Sequence, residues 1–419
     1  MVAVPAPNQN RRRLSQQDVD IICARHDRLF SARMGGARAV FAWCELNGLN
    51  LSGRNLSDAD FTGAVLNDCR LIGTKLDNAS FFGADMQGAD FTEASLRRAD
   101  LRGSCLRGAN LTGADMFEAD LREGAIASPD RDKGLRIHEH ATRAGDARGA
   151  NLSGANLERS RLSGVMAMKA DFSDAILKDA KLVRANLKQV NFNGANLAGA
   201  DLSGADLAGA DLRDAVLVGA KTLNWNVSQA DMVGALTDAP AGKALDDLPY
   251  EAMLREHMLW CETGGAKGQP SIFDRADLRG LTSVRGFDLT ALSAKHAVFY
   301  GLDMEGVQLQ GAQLEGADLR HCNLRRADLR GARLVGAKLS GSDLRDAQLG
   351  PLLLAPERLL AADLTGAQLK AADLARSDLR GANLTGADLS RANFTNAQLK
   401  GANLTGAIRD QARGLEGSV

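Results

Sequence analysis

His138 and His140, two residues apart, are the nearest approach to a metal-binding pair in this 419-residue chain. Neutral imidazoles bind transition metals, but a site needs three or four ligands, so His26 or a carboxylate would have to join them. Two ligands in one polar stretch predict an ordinary loop and no metal. Six cysteines (Cys23, Cys44, Cys69, Cys105, Cys261, Cys322) are scattered without paired spacing. They predict reduced thiols in a cytoplasmic protein. His26 and His257 fall in two helical stretches and read as structural. No glycine-rich phosphate loop, nucleophile elbow or carboxylate pair stands outside a repeated pattern that fills most of the chain. The expectation is no enzyme and no cofactor.

The elements that would position any site must be built from an unusual composition. Glycine occurs 44 times, aromatic residues make up 4%, and 51 basic residues against 52 acidic ones leave a net charge of −1. That balance gives no general drive toward nucleic acid or an anionic membrane. No apolar run approaches the roughly 18 residues of a transmembrane helix. The arginines before residue 14 are followed by no apolar stretch, so no secretory signal is expected.

One pattern dominates. From Leu46 to Ile126 all 17 residues at a spacing of five are large and apolar, as are 15 of 18 from Leu152 to Thr237 and all but Ala294 of 24 from Leu289 to Leu404. Two residues before each, from Ala59 to Gly124, the residue is always small. A period of five fits neither the 3.6 of a helix nor the 2 of a strand. It suits a chain that turns a corner every five residues, with one large and one small side chain inside on each edge, and four edges to a coil. Glycine recurs two residues after the large position, where a corner can require positive φ. Cys44, Cys69 and Cys322 fall on the small inward position and read as buried spacers. A lone coil cannot bury its own faces, so many must stack.

The runs Ala-Asp-Leu-Ser-Gly (200–204), Ala-Asn-Leu-Thr-Gly (382–386) and Ala-Asp-Phe-Thr-Gly (59–63) resemble the signature of the pentapeptide-repeat family. The resemblance implies an all-β solenoid, a right-handed quadrilateral β-helix, and says much less about function. Some members of that family imitate the outline and charge of duplex DNA, bind DNA gyrase and protect it from quinolones. Such mimicry needs a dense negative field, since the duplex carries one charge per ~1.7 Å. Here residues 46–126 hold 12 acidic and 8 basic residues, 152–237 hold 9 and 9, and 271–419 hold 17 and 19.

The pattern also divides the chain. A tail and cap helix (1–45) precede repeat block 46–126, a loop insertion (127–151), block 152–237, a helical insertion or second cap (238–275), block 276–407 and a tail (408–419). The first cap helix is expected over 15–34, with a capping box from Ser15 to Asp18 and with Val19, Ile22, Leu29 and Phe30 on its buried face. The second starts near Asp247 and Pro249, buries Met253, Leu254, His257, Met258 and Trp260, and stops at Gly264-Gly265. The echo between the two cap regions predicts an internal duplication, two capped solenoids in tandem spanning about 1–237 and 244–419; the alternative is one rod with a helical excursion on its side. The break at 127–151 shifts the register by one and predicts a protruding loop or short helix. That at 350–360 keeps Leu354 and Leu359 in phase, and Pro351, Pro356 and Glu357 predict a surface bulge.

The predicted function is a scaffold or adaptor that binds an unidentified protein, with nucleic acid not expected as a partner. The alternative is the gyrase-binding DNA mimic. Candidate interaction residues are Asp60, Asp100 and Asp120 on one acidic face, His138 and His140 in the first insertion, Trp260 in the second cap and Glu357 in the bulge. The tail after Leu404 either leaves the last coil open for an end-to-end homodimer or folds back with Ile408 and Leu415 as plugs.

Overall fold

The computed structural model describes residues 11–130, 134–281 and 283–415, with side chains between 125 and 141 outside the description. The chain forms two compact units, Met1–Asp238 and Ala239–Val419. In each, the residue before every large inward residue makes a parallel bridge to its counterpart on the next coil, as in Asp60↔Ser80↔Asp100. The bonding alternates in direction. Phe61 donates forward to the carbonyl of Ser80 at 2.7 Å, while Asp60 donates back to that of Ala39 at 3.0 Å.

Each corner is a β-turn closed by the small residue, whose N–H reaches the carbonyl of the large one, as Ala64 to Phe61 at 3.0 Å. Only its second central residue has positive φ, the pattern of a type II turn. Gly63 takes this place at +61°, and the ring of Trp43 lies where a Cβ would go. Inside, large residues stack upon their equivalents. Phe41, Phe61 and Phe81 form a ladder with ring centroids 4.8 and 4.7 Å apart.

A helix caps the first coil of each unit. α1 (Gln16–Phe30) starts with the capping box of Ser15 and Asp18. Val19, Cys23 and His26 form its buried face, while Leu29 and Phe30 are about half exposed. The expected face was wrong at its C-terminal end, where His26 and not Leu29 or Phe30 turns inward, and the helix stops at Phe30, four residues short of 34. Leu49 and Arg54, oversized for the small inward position, meet this helix in place of a coil: Leu49 packs on the core and Arg54 reaches Asp20 at 2.5 Å. In the second unit a 3-10 turn (Leu245–Asp247) leads into α2 (Tyr250–Glu262), which buries His257 and packs Met253 and Leu254 on its core.

Two antiparallel hairpins leave the coils. β1 (Gly124–Asp130) and β2 (Gly134–Arg143) occupy the stretch expected as a loop or short helix. Cys105 bridges Asp146 across it, 41 residues on where neighbouring bridges span 20, hence the one-residue change of phase. β3 (Leu352–Ala355) and β4 (Arg358–Leu360) turn through Pro356 and Glu357, the latter at φ +66°. Here Arg333 bridges Asp363, 30 residues on, so the ten extra residues preserve the period of five. Leu354 and Leu359, in phase with the inward leucines, stand 50% and 62% exposed on the hairpin, the form taken by the expected surface bulge. Their phase is inherited from its length and not from burial.

This separates two leucines that the repeat treats alike. Leu349→Ala, at a fully buried position, is expected to cost about 2–5 kcal/mol. Leu354→Ala is expected to cost no more than about 0.5 kcal/mol. Chemical denaturation of both variants measures the contrast.

Candidate interaction surface

The outward residue before each large one explains why Asp and Asn fill that place. Its Oδ1 accepts the N–H two residues on, tying down the corner: Thr62 donates to Asp60 at 2.9 Å, Ser153 to Asn151 at 3.0 Å. Stacking then brings these groups into columns, where adjacent carboxylates would repel. Two devices prevent that. Asn alternates with Asp, its amide donating to the carboxylate of the preceding coil, as Asn191 to Asp171 at 2.9 Å and Asn393 to Asp373 at 2.9 Å. One face of the second unit reads Asp288, Gln308, Asp328, Gln348, Asp378, Gln398 along its bridges.

The other device is Asp-x-Arg. The guanidinium two residues on takes both carboxylate oxygens, as Arg102 does with Asp100 at 2.8 and 2.7 Å and Arg122 with Asp120 at 2.9 and 2.7 Å. Arg213, Arg279, Arg320, Arg330, Arg345 and Arg380 repeat it.

Asp60, Asp100 and Asp120 do share one face, joined by the bridges through Ser80. Yet Asp100 and Asp120 are held by arginine, and the same column continues into Arg161 and Lys181. Burial would raise the Asp120 pKa, but the hydrogen bonds from Arg122 outweigh it and hold the carboxyl below its usual range. This face presents paired charge and not a free anionic strip. His138 and His140 fall on β2, with side chains outside the described residues. Trp260, half-buried on α2, and Glu357, exposed at the turn between β3 and β4, belong to the second unit and to separate elements. The structure therefore gathers only the three aspartates.

Among the described residues, no cluster of three or more His, Cys, Asp or Glu could hold a metal, and no helix is long and apolar enough to cross a membrane. Cys69 and Cys322 are buried, and burial pushes their thiols up to about 11 and about 12. Cys44 is only partly buried. A shallow groove of about 690 Å³ in the first unit is lined by Arg107, Arg148, Lys169 and Lys188, but Arg107 and Arg148 are bound to Asp146 and Lys188 to Asp206.

Exposed apolar groups are what the repeat pattern concealed. Leu353 and Leu360 join Leu354 and Leu359 on the second hairpin, and Leu223 and Val233 stand out on the last coil of the first unit. Pro351 and Pro356 signalled the hairpin; Trp225 on a small position and Thr222 on a large one signalled the irregular last coil.

Asp146 anchors the return of the first hairpin into the coils. Arg107 and Arg148 both reach it, at 2.7 and 2.6 Å. Burial opposes ionisation, but these hydrogen bonds prevail and lower its pKa to about 2. Against an ordinary value near 3.9, the ion cluster contributes about 2 kcal/mol above pH 4, lost as pH falls toward 2. Asp146→Asn is expected to remove that increment at pH 7 and to change little at pH 2, read by denaturation at both pH values.

The pentapeptide-repeat model matches residues 44–123, 148–219, 308–346 and 362–408, more than half of the chain. No curated protein sequence matches it. Among solved structures it is similar to HetL of Nostoc sp. strain PCC 7120, a pentapeptide repeat protein involved in heterocyst differentiation regulation. That match has 24% identity over 93% of this chain and 95% of HetL, with a TM-score of 0.20. A pentapeptide repeat protein of the Arabidopsis thaliana thylakoid lumen is 30% identical over 28% of this chain and 66% of its own, with a TM-score of 0.21. Full-length QnrB1, a plasmid-mediated fluoroquinolone resistance protein, is 16% identical over 54% of this chain and 98% of its own, with a TM-score of 0.16. TM-scores this low describe no common overall shape; the kinship rests on the repeat. By that repeat the chain belongs to the pentapeptide-repeat family, whose fold is the right-handed quadrilateral β-helix.

Proposed function

We propose that the protein is a non-catalytic scaffold in the cytoplasm that binds another protein, chiefly through its inserted hairpins. The observation that carries this reading is the second hairpin. Four leucines (Leu353, Leu354, Leu359, Leu360) stand exposed on β3 and β4, while the faces beside them spend their charges on one another. Exposed apolar groups clustered on one excursion are the usual mark of an interaction site. Six free cysteines are consistent with a reducing compartment.

The reading includes a homodimer through the last coil of the second unit. Leu399 and Leu404 line that coil, and Leu415 packs against the same core, while Ile408 is 49% exposed. Leu415 thus fits the role of a plug and Ile408 does not. Among the described residues no bridge lies beyond Asn403, Ile408 and Arg413, and such an edge can template pairing.

Removing residues 351–360 restores an uninterrupted period and should leave the coils folded by circular dichroism. The tagged full chain and this variant are compared in pull-downs from the lysate of the source organism. The expected result is a reproducible partner, retained in high salt and lost with the hairpin. A partner captured equally by the variant would overturn the hairpin assignment. Recovery of gyrase or topoisomerase subunits, salt-sensitive and lost on Asp100→Lys with Asp120→Lys, would make the DNA-mimic reading primary. Light scattering tests the dimer: twice the chain mass is expected, and a monomer at micromolar concentration removes it.

A further inference from the structure

After a single paired edge, Arg13 on Glu45 in the first unit and Lys243 on Ala276 in the second, each unit passes through its cap helix and starts its first full coil on an edge with no corner before it, where a histidine fills the gap. Within the coils, the N–H of the small inward residue bonds to the carbonyl three residues earlier, as Cys44 to Phe41. At the first edges, Ala39-Val40-Phe41 and Ser271-Ile272-Phe273, the acceptor is an imidazole. Nδ1 of His26 on α1 accepts from Ala39 at 3.0 Å, and Nδ1 of His257 on α2 accepts from Ser271 at 2.8 Å. Both histidines are 0% exposed, and Nε2 of each has no hydrogen-bond partner.

An imidazole can accept at Nδ1 only while neutral. On protonation, two N–H groups would face each other at the first edge, and a cation would be enclosed with no ion pair to hold it. The surroundings only partly compensate. Asp27 on α1 and Asp58 on the first coil favour the charged form of His26, Arg38 on the entering chain opposes it, and the Phe30 ring closes one side at 4.9 Å. His257 has Asp288 on its first coil and the Trp260 ring at 5.9 Å. Backbone carbonyls add to the carboxylates, that of Ser57 beside His26 and those of Thr290 and Leu289 beside His257, but burial outweighs them all and holds each pKa below the ordinary histidine value.

We propose that the two caps are acid-released latches: protonation of the single buried histidine in each frees the helix from its first coil and bares the end of the solenoid. The sign follows from the depressed pKa. The proton is taken up by the open state, near pH 6.5, before the closed one. Closure is therefore complete above about pH 6.5 and is lost as pH falls through the lower, closed-state pKa. In that window, the opening equilibrium of each cap rises about tenfold per pH unit. An opened cap uncovers Phe41 and Leu46, or Phe273 and Leu278, together with unpaired backbone, a surface prone to association.

Amide hydrogen exchange on the full chain, corrected for the chemical rate, tests this between pH 7.5 and 5.5. Peptides covering 16–30 and 250–262 are expected to lose protection about tenfold per unit below pH 6.5, while coil peptides at 96–116 and 314–339 hold theirs. His26→Asn supplies an amide oxygen that can accept the Ala39 N–H without titrating. It is expected to abolish the pH response of α1 and leave that of α2. Wild-type caps that follow the same pH course as the coils would overturn the proposal, and this comparison requires no variant to fold. A folded His26→Asn protein whose α1 keeps the response would overturn it equally.

Discussion

Coil-on-coil pairing in a fixed register is the constraint on which both units depend. Asp60 bonds back to Ala39 while Phe61 bonds forward to Ser80, and the same step carries Phe41 onto Phe61 and Phe81 inside. Backbone and core therefore share one register. A slip of one residue would misplace the inward side chains and break the bridges together. Any departure from the period must leave the coil entirely and return in phase, or return through a special junction. The hairpin of β3 and β4 takes the first route with ten residues; that of β1 and β2 takes the second, re-entering at Asp146 under two guanidinium groups.

The same register creates the problem that the surface solves. Outward residues stack as closely as inward ones, so an aspartate chosen to hold its own corner also meets the next aspartate. Alternation with Asn or Gln, and the Asp-x-Arg pairs, turn that repulsion into hydrogen bonding. The result is a surface whose charges are largely committed to each other. Capacity for a partner then lies where the repeat is broken, on the hairpins and at the coil ends.

Much of this was readable from spacing. The period of five, the small residue two before the large one and the glycines at the corners identify the coil, because each follows from a requirement repeated dozens of times. The capping box of Ser15 and Asp18 is local and equally readable. The candidate surface was less so. Asp60, Asp100 and Asp120 share one face as expected, but the pairing of Asp100 with Arg102 and of Asp120 with Arg122 depends on side-chain reach. Leu354 and Leu359 kept the phase of buried residues while standing in solvent, since an excursion of two periods leaves no trace in the spacing. Leu29 and Phe30 had helical spacing but stand about half exposed, and His26 takes the inward place in the last turns of α1.

The sequence alone determined the coil, its four-sided inward pattern and the points where it is interrupted, because short-range sterics and alternating burial repeat at every turn. Tertiary structure decided which leucines of equal phase are inside, which carboxylates remain available and what closes the first edge of each unit. Those outcomes rest on contacts between residues 13 to 41 positions apart, such as His26 with Ala39 and Asp146 with Arg107. Proximity of that kind exists only once the coils have stacked.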